Sequence, residues 1–296
     1  MERLSGVLRM SRAIYVDTSR TAEGKRKKKP HYVFDGEKIF EVDKLTKLKN
    51  VDEIYIDTLF PEIYEEVLEL LKKSVKVYLL KNLSILKKLR MENNMEKSDE
   101  IDAQLLSMIS KDGFRLLTLE EIEFKIKIRP LINKYEQIVR WQTTLKQWLS
   151  QGFDYNFKEP IRLMENDGRR VSKEIIKEVA KNNVYREACR LLGVKDSVEL
   201  AILTVELPLH LPITRLKGLL GFTPNKNEGR YDHRLRKHVV ALSANLYINV
   251  KRRANVLNNI AEIVNSLPKE KAIYKIQLMI LKALRRAYLL TINPTG

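Results

Sequence analysis

The sequence predicts an α/β domain at the N-terminal end, then a long helical arm, then a mostly α-helical C-terminal domain. Three observations carry this. Between residue 13 and about residue 82, short apolar runs alternate with turn signals and one helical face. From Leu119 to about Gly152, apolar residues recur at roughly 3.5-residue spacing with Lys, Arg, Gln and Glu between them. Beyond residue 170, helical periodicity runs to about residue 291, broken by Gly and Pro. A chain of 296 residues with 44% hydrophobic content can fill cores for two or three domains.

Ala13-Ile14-Tyr15-Val16-Asp17 reads as a buried strand. Gly24 to Pro30 is a basic loop that cannot pack and is solvated or set against phosphate. His31 to Phe34 and Lys38 to Val42 flank Asp35-Gly36, a strong hairpin signal. Glu53 to Ile56 is the next strand. Pro61 to Lys73 carries apolar residues at 63, 67, 68, 70 and 71, one helical face. Val75 to Leu80 is a further strand. A three-strand antiparallel meander followed by parallel strands with helices is the ribonuclease-H-like pattern. The segment starting at Asp99 supplies its later helix, with Leu105, Leu106 and Ile109 on the apolar face.

The arm has an interruption at Pro130 and places Trp141 and Trp148 on one face, where helix-packing core is the expectation rather than base stacking. Residues 153–170 carry Gly, Pro, Asn and Asp and read as a linker. In the last domain, Ala188 to Val194 reads as a helix, a Gly turn and the start of the next helix. Pro208 and Pro212 break the pattern, and Gly221 to Pro224 precedes the polar loop Asn225–Gly229. A basic segment spans Arg230 to Arg253, and the final helix runs from about 269 to 291 with Ile273, Ile276, Met279, Ile280 and Leu284 on one face. The expected domains are 1–113, catalytic; 114–152, helical coiled-coil arm; 153–170, linker; and 171–296, helical and DNA-binding.

The formal net charge is +17, which points to a polyanionic partner, nucleic acid ahead of an anionic membrane surface. Cys189 is the only cysteine, which excludes an intrachain disulfide and a cysteine zinc cluster. The histidines at 31, 210, 233 and 238 are scattered and are expected to be solvated or phosphate-facing. Met1 to Met10 lacks the apolar core of a signal peptide, and no run of about 18 apolar residues marks a membrane span, so a cytoplasmic location is expected.

The chemistry lies in the first third. Asp17 and Asp57 each end a strand-like run, and Asp99 and Asp102 lie three apart at the start of a helix. Two carboxylates on neighbouring strand ends and an i, i+3 pair on one helix face can hold two magnesium ions, one to activate an attacking hydroxyl and one to stabilise the leaving oxygen. Glu62 and Asp112 are the competing acids; Glu62 reads as first-turn helix charge. Phosphate contacts are expected from Lys25, Arg26, Lys27, Lys28 and Lys29, and from Arg230, Arg234, Arg236, Lys237, Lys251, Arg252 and Arg253.

These residues resemble the DEDD transposases of the insertion-sequence-110 family, relatives of a bacterial pilin-gene invertase. That family shows Lys-Thr-Asp-x-x-Asp-Ala where this chain has Lys97-Ser98-Asp99-Glu100-Ile101-Asp102-Ala103. Its Gly-Leu-x-Pro turn is resembled by Gly221-Phe222-Thr223-Pro224 ahead of a basic helix. The resemblance covers nearly the whole chain. It implies a resolvase-like ribonuclease-H-fold domain, an oligomerising coiled-coil arm (a dimer or tetramer) and a C-terminal transposase domain. It also implies magnesium held by Asp17, Asp57, Asp99 and Asp102, DNA strand exchange, a structured guide RNA, and a nucleoid-associated place in the cytoplasm. Two departures stand out. Asp57 occupies a position where the family has Glu. The loop Asn225–Gly229 lacks the nucleophilic Ser expected after the turn, and the next serine, Ser243, sits in the helical run Val239 to Leu246. The alternatives are a junction-resolving endonuclease using the same four acids, or a non-catalytic DNA- or RNA-binding protein.

Overall fold

The computed structural model describes residues 12–19, 29–153, 155–222, 231–252 and 257–292. Lys25 to Lys28, Arg230, Arg253 and the loop Asn225–Gly229 lie outside the described residues. The chain divides into two compact units, Met1–Lys127 and Ile128–Gly296.

The first unit is a mixed sheet of six strands: β1 (Ala13–Asp17), β2 (His31–Phe34), β3 (Ile39–Val42), β4 (Glu53–Ile56), β5 (Lys76–Leu80) and β6 (Phe114–Leu116). Its order is β3-β2-β1-β4-β5-β6. β1, β2 and β3 form an antiparallel meander, β1, β4 and β5 are parallel, and β6 returns antiparallel. The β2–β3 turn follows from Asp35-Gly36. Asp35 Oδ1 accepts hydrogen bonds from the Glu37 and Lys38 amides at 3.1 and 3.0 Å, and Gly36 takes φ +98°.

Alternation along the strands builds two cores. Ile14, Val16, Val33, Ile54, Ile56, Val77 and Leu79 face α1 (Tyr64–Lys72) with Val67 and Leu70. The other face carries Tyr55, Tyr78 and Leu80 under Leu86 of α2 (Ser84–Glu92) and Leu105 and Leu106 of α3 (Asp99–Leu106). Tyr15, Tyr55 and Tyr78 are in register on the three parallel strands and stack, with ring centroids 5.1 and 4.7 Å apart. This alternation positions the site: odd-numbered residues of β1, and Tyr55 of β4 followed by Asp57 two residues on, face α3.

β6 and α2 were not foreseen. β6 is three residues long, below the length at which alternation is legible. It lies beyond residue 113, and the first unit extends through Lys127.

α4 (Leu119–Ser150) continues through Pro130 without a break. In the second unit, Ile138 of α4 meets Gly168 of α5 (Lys158–Val179), where a Cβ would lie 3.5 Å from Ile138 Cγ2. Lys146 bonds Glu165 at 2.8 Å across the same hairpin. The segment 153–170, expected as a linker, therefore contains the first half of a helix. Pro160 sits in its first turn, where an amide hydrogen is not needed, so it starts the helix rather than breaking it. The arm tryptophans, expected in a core, are 54% and 45% exposed. At 100° per residue, Trp141 and Trp148 lie roughly half a turn round α4 from buried Ile132, so the apolar spacing merged two faces into one stripe.

The rest of the second unit is α6 (Asn183–Leu192), α7 (Val198–Glu206), α8 (Ile213–Leu219), α9 (His233–Lys251), α10 (Asn258–Ser266) and α11 (Lys269–Ile292). Gly193 closes α6 at φ +63°, as the Gly turn between two helices requires. α11 packs on α6 and α9, and α7 on α9 and α5. Ile202, Leu203, Val239, Ile276, Ile280 and Leu284 fill the core.

Candidate active site

β1 and β4 are parallel neighbours with Val16 opposite Ile56, so their next residues, Asp17 and Asp57, emerge side by side. Both lie on the α3 face. α3 packs over β1 and β2 and presents Asp99 and Asp102 in its first turn. Ser98 caps that turn, its Oγ accepting from the Ile101 amide at 3.1 Å, which fixes where the two acids start. One cleft is lined by Asp17, Asp57, Asp99 and Asp102, together with Thr18, Lys29, Arg90 and Lys97. Glu62 and Asp112 are not among its lining residues.

Asp57 is buried and firmly held. Its Oδ1 accepts from the Thr18 amide at 2.8 Å and shares the Thr18 hydroxyl, at 2.8 Å, with the Thr58 carbonyl at 2.6 Å; its Oδ2 accepts from the Thr58 hydroxyl at 2.9 Å. Burial raises its pKa, and those bonds work against the rise. For Asp17, burial first and then the carboxylates of Asp57, Asp99 and Asp102 push the carboxyl up to about 8, against the pull of Lys29. The two helix acids already have counter-ions. Lys29 bonds Asp99, and Arg90 of α2 bonds Asp102. Lys29, expected to contact phosphate, is thus on a carboxylate instead. Among the described residues, no three His, Cys, Asp or Glu side chains are grouped closely enough to hold one ion.

The donor set still suits hard divalent cations: four carboxylates, one with a pKa raised by burial and by the other three. Asp17 and Asp57 would bind directly, and Asp99 and Asp102 on exchange of their present cations. Thr18, Thr58 and Arg90 were missed. The one signal for Arg90 is its place four residues after buried Leu86, on the inward face of α2.

In α9, two of the arginines expected on phosphate have internal partners instead. Arg234 is not free for phosphate: its Nε lies 2.8 Å from both Glu136 oxygens, and its Nη1 3.0 Å from Glu206. Arg236 donates to the Leu220 and Gly221 carbonyls at 3.0 Å and covers Phe222 and Tyr231. His238 is buried rather than solvated, held between Glu199 and Glu136, the latter at 2.8 Å. Burial alone would lower its pKa, but these carboxylates raise it to about 9. His31 is also buried, its Nδ1 accepting from the Ser19 amide at 3.0 Å. The physical reason in α9 is helical spacing. Arg234 and His238 are four apart and share the face packed on α7, where Glu199 and Glu206 lie seven apart. Lys237, Lys251 and Arg252 are exposed. Ser243 is fully buried and donates to the Val240 carbonyl at 2.8 Å.

No protein-family model matches the chain, and no curated protein matches it. Among the described residues, no helix is long and apolar enough to cross a membrane.

Proposed function

We propose that the chain is a magnesium-dependent phosphoryl-transfer enzyme acting on DNA, a transposase or recombinase whose first unit is a ribonuclease-H-like domain. One observation carries this reading. Adjacent parallel strands bring Asp17 and Asp57 together on the face covered by α3, and α3 adds Asp99 and Asp102 to the same cleft. The strand order, a meander on β1 with β4 and β5 parallel beyond it, supports the fold assignment.

Magnesium, when bound, would activate the attacking oxygen and stabilise the leaving one. Asp17, Asp57, Asp99 and Asp102 hold it in this reading, and Thr18 and Thr58 fix the Asp57 carboxylate. Lys237, Lys251 and Arg252 offer sequence-independent phosphate contacts. A structured guide RNA, self-association through the arm, and a nucleoid-associated cytoplasmic location belong to the same proposal. In its test, Asp102→Ala lowers magnesium-dependent DNA cleavage by more than about 100-fold, beyond the effect of losing an outer-shell partner. Unchanged cleavage would remove Asp102 from the site.

A second reading has its own support. Residues 223–230 contain no serine, and Ser243 is buried and bonded to a carbonyl. A chain without that nucleophile hydrolyses branched DNA as a junction endonuclease. It then forms nicks with no covalent protein–DNA adduct on a denaturing gel, whereas an adduct excludes this reading.

A further inference from the structure

We propose that Arg90 is a positioning residue of the acidic cleft, an internal counter-ion that competes with the divalent ion for Asp102. The inference rests on the metal-site reading above. Arg90 reaches the cleft from α2, one turn beyond buried Leu86, and its guanidinium bonds Asp102 Oδ1. Both side chains are largely enclosed, with 15% and 9% of their surface exposed. The parallel pair, Lys29 on Asp99, is different: Lys29 is 57% exposed, so water and salt screen it.

An enclosed charge pair is not given up freely, because separating it leaves a carboxylate or a guanidinium without a partner. Arg90 holds Oδ1, so an ion that draws on that oxygen or on both must displace the guanidinium, and the two compete for Asp102. The fraction of molecules with Asp102 released sets the fraction competent to bind the ion, and apparent affinity falls by that fraction. An ion that binds regains Asp102 and frees a fixed-charge guanidinium at the cleft wall.

Mn2+ binding to the full-length protein, read by electron paramagnetic resonance without DNA, tests this. Wild type, Asp17→Asn, Arg90→Gln and Lys97→Gln are compared, with a thermal melt of each. Arg90→Gln is expected to bind Mn2+ about 10-fold more tightly than wild type. Lys97 lines the same cleft and forms no ion pair among the described residues, so Lys97→Gln controls for charge alone and is expected to stay within about two-fold of wild type. If Arg90→Gln melts early, Arg90→Met keeps the aliphatic stem and serves in its place. Asp17-dependent Mn2+ binding that is unchanged or weakened in the Arg90 variant overturns the inference, as does equal tightening by Lys97→Gln. Binding that is absent in wild type, or indifferent to Asp17→Asn, overturns the metal-site reading itself.

Discussion

Asp57 and His238 show how much of a residue's role depends on what packs against it. Asp57 was legible as an acid at a strand end, yet its fixed orientation depends on Thr18, just past the end of the neighbouring strand β1. Removing the Thr18 hydroxyl as Thr18→Val is expected to cost about 10- to 100-fold in metal affinity or cleavage rate, measurable by Mn2+ titration. His238 was read as solvated because its two carboxylate partners come from α4 and α7, distant in sequence. Its folded pKa, raised from 6.5 to about 9, carries a stability prediction. The charged form is favoured on folding, so the contribution is complete below about pH 6.5 and is lost as pH rises through about 9. Between pH 6 and 10, His238→Gln should remove on the order of 3 kcal/mol of the wild-type loss of stability in denaturant unfolding, leaving the part below about pH 8 that the raised Asp17 carboxyl contributes. A pH-independent wild type would contradict the network.

Among the elements, the strands and long helices were readable, and the exceptions have physical causes. β1, β4 and β5 were legible as apolar runs because they are central and parallel. β6 was too short to show a period. α5 was hidden by Pro160 in its first turn and by Gly168, a poor helix former buried against Ile138. α3 was legible from its paired first-turn acids and the apolar Leu105 and Leu106, whereas its cap is Ser98, one residue before the Asp99 that the sequence offered for that place. Ser98→Ala is expected to destabilise the protein by about 1 kcal/mol in denaturant unfolding and to weaken Mn2+ binding, since the cap sets the start of the helix bearing Asp99 and Asp102. Wild-type values of both would mean that tertiary packing alone holds α3.

For the whole molecule, the net charge of +17 is the ground for proposing a polyanionic partner but does not show which cations would hold it. Arg234 and Arg236 are occupied by internal partners, whereas Lys237, Lys251 and Arg252 are exposed. DNA affinity measured against salt should give a steep log–log slope that falls by about one for each of these three replaced by Gln, and that Arg236→Gln leaves nearly intact. Equal slope losses at Arg236 and Lys237 would restore the basic-helix expectation.

Asp17, Asp57, Asp99 and Asp102 are proposed to hold divalent ions together for phosphoryl transfer. The most direct measurement is an anomalous-difference map from crystals soaked in Mn2+. Two peaks about 3.5–4 Å apart are expected in the cleft, with Asp102 turned from Arg90 onto one of them. Crystals that take up Mn2+ elsewhere while Asp17 and Asp57 remain without an ion, and Arg90 remains on Asp102, would contradict it.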